Sequence, residues 1–295
     1  MHPCLIWSAI LLFLSHFISL VRSEDSPLVA RLVVSDTEIC INDSIIYKLV
    51  LTNTLVSSIQ ITDKKNHVQQ FLEVKRGLGN DWTVVRTITA ADKGATEGTI
   101  TISGQDSLAL YDHCFFTASR NPIFDIAGKY QFRIRVKCLL GEFMTKPIDI
   151  LVSDRPADES AAIKNNAVVV SKLLSGLDTP RFVKEYKQFQ GRLTRGSVKR
   201  SLDLMAKYED FNQTGTLEGK SIEVIDAFHE LSKDCDEVRK EQLAARFVRD
   251  ALREAKWKDL EAILKTFQED SSFRRGYLGQ LREAKGDRIE EDASK

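Results

Sequence analysis

At 295 residues the chain is long enough for two ordinary domains, each with its own core, and 43% hydrophobic with 28% charged residues lies in the globular range. Lys and Arg number 42, as do Asp and Glu. That zero net charge argues against a dedicated nucleic-acid binder, which carries a basic excess or stripe. The short clusters Arg192/Arg195 and Lys199-Arg200 stand among acids and read as solvated helix faces.

Residues 5–20 form an apolar run interrupted by Ser8, Ser15, His16 and Ser19, and Val21-Arg22-Ser23 follows. Small or medium residues at Val21 and Ser23 suit signal-peptidase cleavage, with Glu24 as the mature start. Residues 1–23 are therefore expected to be a leader, and the protein to be exported to the periplasm, cell surface or medium. No later stretch is apolar enough to cross a bilayer. Beyond Cys4, Cys40, Cys114, Cys138 and Cys235 remain. An even number in an exported chain permits disulfides without requiring them, and there is no C-x-x-C for zinc or redox chemistry.

From 28 to 152 the pattern is strands and turns. Residues 28–34 and 44–52 read as the first two strands, the second with Ile45, Tyr47, Leu49 and Leu51 on one face. On its other face Ile46 and Val50 are apolar as well. Segments 70–75 and 82–87 flank a Gly77-Leu78-Gly79-Asn80-Asp81 hairpin turn. Strands at 99–103 and 108–116 come next. In 130–136, Tyr130, Phe132, Ile134 and Val136 alternate with Gln131, Arg133 and Arg135, the signature of one buried and one wet face. Residues 146–152 close the set. Short strands with turns between them and no interleaved helices indicate an antiparallel β-sandwich.

The strand ending in Leu51-Thr52-Asn53-Thr54, the Ser-Gly-Gln-Asp-Ser turn at 103–107 and Ala127-Gly128-Lys129-Tyr130 together resemble the immunoglobulin-like domains of exported bacterial proteins. The resemblance covers residues 28–152 and implies adhesion, spacing or partner binding in place of catalysis. The Cys–Trp–Cys core of antibody domains is missing from it. In this topology strand 44–52 and strand 130–136 run the same way, which sets Cys40 and Cys138 a strand length apart. Strand 108–116 runs antiparallel to 44–52, so a Cys40–Cys114 bridge is the expected pairing, with buried free thiols as the alternative.

Ser153-Asp154-Arg155-Pro156 marks the boundary, after which the apolar period becomes helical. Helices are expected over 157–174, from 179, from 197, and over 217–231, 236–256 and 257–267. Tyr277, Leu278 and Leu281 are the last apolar anchors before a charged tail at 285–295. The fold class is thus all-β plus all-α in two domains: a sandwich at 24–153 and a helical domain at 154–284. The helices stack as a bundle or as an irregular array of hairpins.

Chemistry is sparse. The segment 210–221 resembles an EF-hand calcium loop, with Asp210, Asn212, Thr214 and Thr216 as oxygen ligands, but Ser221 stands where a bidentate acid belongs. A plain helix–turn–helix connection is the alternative, and calcium is the only cofactor the sequence suggests. There is no G-x-S-x-G elbow, P-loop, G-x-G-x-x-G or H-E-x-x-H. Adjacent His113 and Cys114 on one strand point to opposite faces. Asn42-Asp43-Ser44 and Asn212-Gln213-Thr214 are glycosylation acceptors in a glycosylating host, and Trp82 and Trp257 read as core anchors. The expectation is a non-enzymatic binding or assembly protein with a protein partner, its contacts on the polar face of 130–136 or on the helical part. The competing class is a hydrolase or protease-inhibitor-like protein with His229, Asp226 or Glu230 converging on the strand part at the domain junction.

Overall fold

The computed structural model describes residues 26–62, 67–77, 79, 81–90, 100–114, 122–175, 179–254, 256–269, 271 and 273–278. The leader, the Ser23/Glu24 junction, Leu281 and the charged tail lie outside them.

Strict alternation organises the first half. In β9 (Gly128–Cys138) Tyr130, Phe132, Ile134, Val136 and Cys138 are buried, while Gln131, Arg133 and Arg135 are half-buried on the other face. β9 lies antiparallel between β11 (Ile148–Ser153) and β5 (Val68–Arg76). Beyond β5 comes β6 (Thr83–Ala90), reached through the 77–81 turn. β2 (Glu38–Cys40) pairs parallel with β11 at the far edge, and β10 (Gly141–Met144) folds back on β9, giving six strands in all. A second, three-stranded sheet holds β1 (Leu28–Val34), β3 (Ile45–Asn53) and β8 (Ser107–Cys114). β4 (Ile59–Gln60) and β7 (Thr101–Ile102) make a short separate pair. β2, β4 and β10 are too short to show a period and were not foreseen.

One apolar core takes Tyr47, Leu49 and Leu51 from β3 with Leu72, Phe132, Ile134 and Val136. The Tyr47 ring meets Phe132 edge-on at 5.9 Å, and its buried hydroxyl donates to Gln70 Oε1 at 3.1 Å. At one end Asn53 is fully buried. Its amide donates to the carbonyls of Ser57, Ile102 and Ser103, and its Oδ1 accepts from Leu55 N. The turns after β3 and before β8 are thereby tied together. Gly104 completes the joint, because a Cβ there would stand 1.7 Å from the Val56 carbonyl oxygen.

The second half is helical: α1 (Ala157–Asn165), α2 (Ala167–Ser175), α3 (Thr179–Phe189), α4 (Ser197–Thr214), α5 (Val224–Ser232), α6 (Glu237–Arg253) and α7 (Trp257–Lys265). The single helix expected over 157–174 is broken at Asn166. The Asn166 side chain and backbone N–H both bond to the Ala162 carbonyl, at 2.7 and 3.2 Å, ending α1. Its own carbonyl accepts from Val170 N, opening α2. The helix expected from 217 begins only at Val224. Residues 216–221 instead form a two-strand hairpin, β12 (Thr216–Leu217) and β13 (Lys220–Ser221), turning on Glu218 and Gly219 with φ of 52° and 78°.

Two helical cores result. One gathers Ile163, Val170, Leu173, Val183, Tyr186 and Leu202, and the other Phe228, Leu243, Phe247, Val248, Leu260 and Ile263. Ile46 of β3 belongs to the first of these, and Tyr111 of β8 packs on the second. The three-stranded sheet is therefore covered on both faces, which accounts for the apolar residues on both sides of β3.

Candidate interaction face and the clefts around it

Buried charge joins strands to helices. α4 starts at Gly196, which has no capping side chain. Asp43, from the turn between β2 and β3, supplies the cap from across the junction: its carboxylate accepts from Ser197 N at 2.9 Å and Val198 N at 3.0 Å. The same carboxylate takes Cys40 N and Arg155 Nη2, and the Asp43–Arg155 pair is wholly buried. Lys48, also buried, reaches Glu241 at 2.8 Å and Glu237 at 2.6 Å on α6, with the Tyr111 hydroxyl donating to Glu241. Asp36 accepts from Arg239, Arg200 and Ser197. Burial alone would raise the Asp36 carboxyl, but the Arg239 hydrogen bond and charge, with Ser197 and Arg200, outweigh it and hold the group below its usual value.

Beside Asp36 opens a cleft of about 590 Å³, lined by Ser35, Asp36, Arg200, Lys207, Glu230, Cys235 and Arg239 among others. Of the competing catalytic set only Glu230 meets the strand part here, and it is paired with Lys233. His229 and Asp226 line a neighbouring cleft of about 570 Å³ to which no strand of the first half contributes. The Cys235 thiol is pushed up to about 11 by burial and then by Asp236, so it stays protonated near neutrality. In this cleft Asp36 pairs with Arg200 and Arg239, Glu230 with Lys233, and Asp236 with Arg239.

The calcium loop does not form. α4 runs through Thr214, which puts Asn212 about 200° round the helix from Asp210 and about 160° from Thr214, so the three oxygens face opposite sides of the helix. Asp210 is paired with Lys187 at 2.6 Å, and Thr214 shares its hydroxyl with Thr216. Gly215 acts as the left-handed C-cap of α4. Among the described residues no three His, Cys, Asp or Glu side chains converge as a metal set. Cys40, Cys138 and Cys235 are free thiols. Cys40 is thus free, which is the alternative to the expected Cys40–Cys114 bridge; pairing sets the Cys114 backbone opposite Ile45, and the Cys114 and His113 side chains lie outside the described residues. Asn42 is buried with its amide on Ser160 Oγ at 2.5 Å, so it is closed to glycosylation; Asn212 is exposed.

The outer face of the six-stranded sheet is the arrangement that the alternation in 130–136 points to. Cross-strand pairing sets Arg133 against Glu73 and Arg135 against Phe71. Buried Glu73 receives Arg133 Nε at 2.7 Å and Arg135 Nε at 2.9 Å, one on each oxygen. Burial alone would raise the Glu73 carboxyl; the hydrogen bonds of Arg135 and Arg133 outweigh it and keep it low. The Arg133 guanidinium carbon then stands 3.8 Å from the centre of a Trp82 ring and that of Arg135 4.3 Å from the centre of Phe71. Trp82, read from the sequence as a core anchor, is half-buried on this face. Exposed Val84, Met144 and Leu151 belong to the same sheet.

No protein-family model matches the chain, and no curated protein matches it. Among solved structures it is similar to a sporulation control protein from Bacillus subtilis (10% identity over 48% of this chain and 56% of that one, TM-score 0.32). It is also similar to an alkylpurine DNA glycosylase from Pseudomonas fluorescens bound to DNA containing an abasic site analog (8%, 43% and 30%, 0.28). A third is a β-glucosidase from Erythrobacter marinus (10%, 45% and 18%, 0.27). The chain thus spans about half of the first and under a third of the others. These overlaps are too loose to assign a fold or an activity.

Proposed function

We propose that this is an exported, non-catalytic binding protein that contacts a protein partner through the outer face of its six-stranded sheet. In this reading residues 24–153 are an immunoglobulin-like sandwich and 154–284 an α-helical domain that backs it. The strand orders support it. β1-β3-β8 against β2-β11-β9-β5-β6 matches the arrangement of variable-type immunoglobulin sheets. The Tyr130 hydroxyl also donates to the Ile126 carbonyl four residues upstream, as in a tyrosine corner.

The observation that carries the functional reading is the pair of arginines fixed by one buried glutamate and laid over aromatic rings. Arg and Trp dominate binding hot spots, and side chains already held in one geometry lose little entropy on association. A partner presenting carboxylates beside apolar groups fits such a face.

The test is capture from an envelope extract of the source organism with the wild-type protein and with a Trp82→Ala/Arg133→Ala variant whose circular dichroism is unchanged. The expected outcome is a defined protein held by the wild type and weakened at least tenfold in the variant. Equal retention by both proteins would remove this face from consideration.

A further inference from the structure

Arg246, Arg249 and Arg253 stand at i, i+3 and i+7 on α6 and so share one helix face. All three line a cleft of about 210 Å³ whose other walls are Pro180, Tyr208, Glu209, Asn212 and Asp250. The two acids there are already engaged. Asp250 accepts from the Tyr208 hydroxyl and pairs with Arg253 at 3.1 Å, and Glu209 accepts from the Gln213 amide at 2.9 Å. Arg246 is different: among the described residues no carboxylate lies within ion-pair distance of it, and its hydrogen bond goes to the Leu173 carbonyl at 3.1 Å. Burial, reinforced by the neighbouring Arg249 and opposed only in part by Tyr208, Glu209 and Asp250, pulls the Arg246 guanidinium down to about 10. A half-buried guanidinium that no carboxylate contacts directly is costly, and a bound anion is the ordinary way to relieve it.

We infer that this cleft is an oxyanion site for a phosphate group, free or carried by a small phosphorylated metabolite, held by Arg246 and Arg249 with Arg253 at its mouth. The planar guanidinium fork matches two oxygens of a tetrahedral anion, and the cleft volume suits a ligand of a few heavy atoms. Three arginines against two acids leave one net positive charge, so the ligand need be only singly or doubly charged. The exposed Asn212 amide adds a donor on the α4 side. This site is independent of the sheet face and of any partner bound there.

Calorimetric titration of the full mature chain with inorganic phosphate, with glucose 6-phosphate and with sulfate, at constant ionic strength, tests it. Saturable binding of phosphate in the millimolar range or tighter is expected, weakened at least tenfold by Arg246→Met and several-fold by Arg249→Met. Arg181→Met, an exposed arginine on α3, should leave it unchanged. Tighter binding of glucose 6-phosphate than of phosphate would identify a metabolite as the source, and the reverse order the free ion. Because Arg249 is exposed, its variant keeps the test open if Arg246→Met fails to fold. Absence of saturable binding at tens of millimolar, or equal loss in Arg181→Met, would overturn the site, and so would phosphate raising the melting temperature of Arg246→Met as much as that of the wild type.

Discussion

Asp43 shows how much one side chain at the junction carries. Its carboxylate caps α4, holds Cys40 N and neutralises Arg155, whose Nε and Nη1 are buried without partners. The close fit extends to Gly196, where φ is +106° and a Cβ would stand 2.0 Å from Arg155 Nη2 and 2.6 Å from Asp43 Oδ2. Gly196→Ala should therefore cost at least about 2 kcal/mol, from backbone strain and from parting a buried ion pair. Urea unfolding would show it as a lower midpoint at unchanged slope. Asp36 gives the pH counterpart. Its carboxyl is held below the usual 3.8 despite burial, through Arg239, Ser197 and Arg200. Its folded-state value thus lies below its unfolded one. The stabilisation is complete above pH ~4 and is lost as the pH falls through the folded-state value. Asp36→Asn should be less stable than wild type at pH 7, with the gap closing below pH 4. A gap that persists unchanged at pH 3 would contradict the assignment.

At the level of elements, the sequence was clearest where one face is wet and one is dry. β9 and β11 are legible from alternation, β3 from its apolar inner face, and β1, β5, β6 and β8 from the turns that bound them; the polar face of β9 points to the surface proposed for binding. Two errors share one cause. Asn166 within 157–174 and Glu218-Gly219 within 217–231 break helices through local hydrogen bonds and positive φ, which a sum of apolar spacing cannot see. The calcium reading had set Gly215 at a loop's sharp turn, whereas it closes α4. The junction was least legible, because Asp36, Asp43 and Lys48 look like turn and surface residues until a helix from 150 or more positions away covers them. The apolar Ile46 opposite Tyr47 was the available signal, since a strand apolar on both faces is a strand buried on both faces. The hairpin offers a direct check. Glu218 sits at φ 52°, a conformation that costs glutamate more than asparagine, and Asn-Gly is the preferred pair for such a turn. Glu218→Asn should stabilise the protein by up to about 1 kcal/mol, a rise of roughly 2 °C for a chain this size. A lower melting temperature would mean that the Glu218 side chain makes a contact worth more than the relief of strain.

Across the whole molecule the layers run from the open six-stranded sheet, through the three-stranded sheet, to the helices. The middle sheet shares residues with cores on both sides, and buried charge ties the strand half to the helices through Lys48 on β3 and through Asp36 and Asp43 in the turns on either side of β2. Separating strands from helices would expose Ile46, worth about 1.5–3 kcal/mol. It would also strip Lys48 of Glu241, Asp36 of Arg239 and Asp43 of the α4 N-terminus, at several kcal/mol for each buried charge left without its partner. Neither half then has an intermediate that keeps its own packing at low cost, so the two should unfold together. The chain supplies a probe for each: Trp82 lies on the outer sheet, and Trp257 opens α7 against the second helical core. In protein made without residues 1–23, and so without Trp7, Trp257→Phe leaves fluorescence that follows the strands and Trp82→Phe fluorescence that follows the helices. Both should give one transition with the same midpoint in urea, coincident with far-ultraviolet dichroism, once each variant's own shift is subtracted. Lys48→Met should move both midpoints down together, because it leaves Glu241 buried opposite an apolar chain. Two separated transitions, or a Lys48→Met shift confined to one tryptophan, would mean that the buried charges at the junction only decorate two bodies that stand independently.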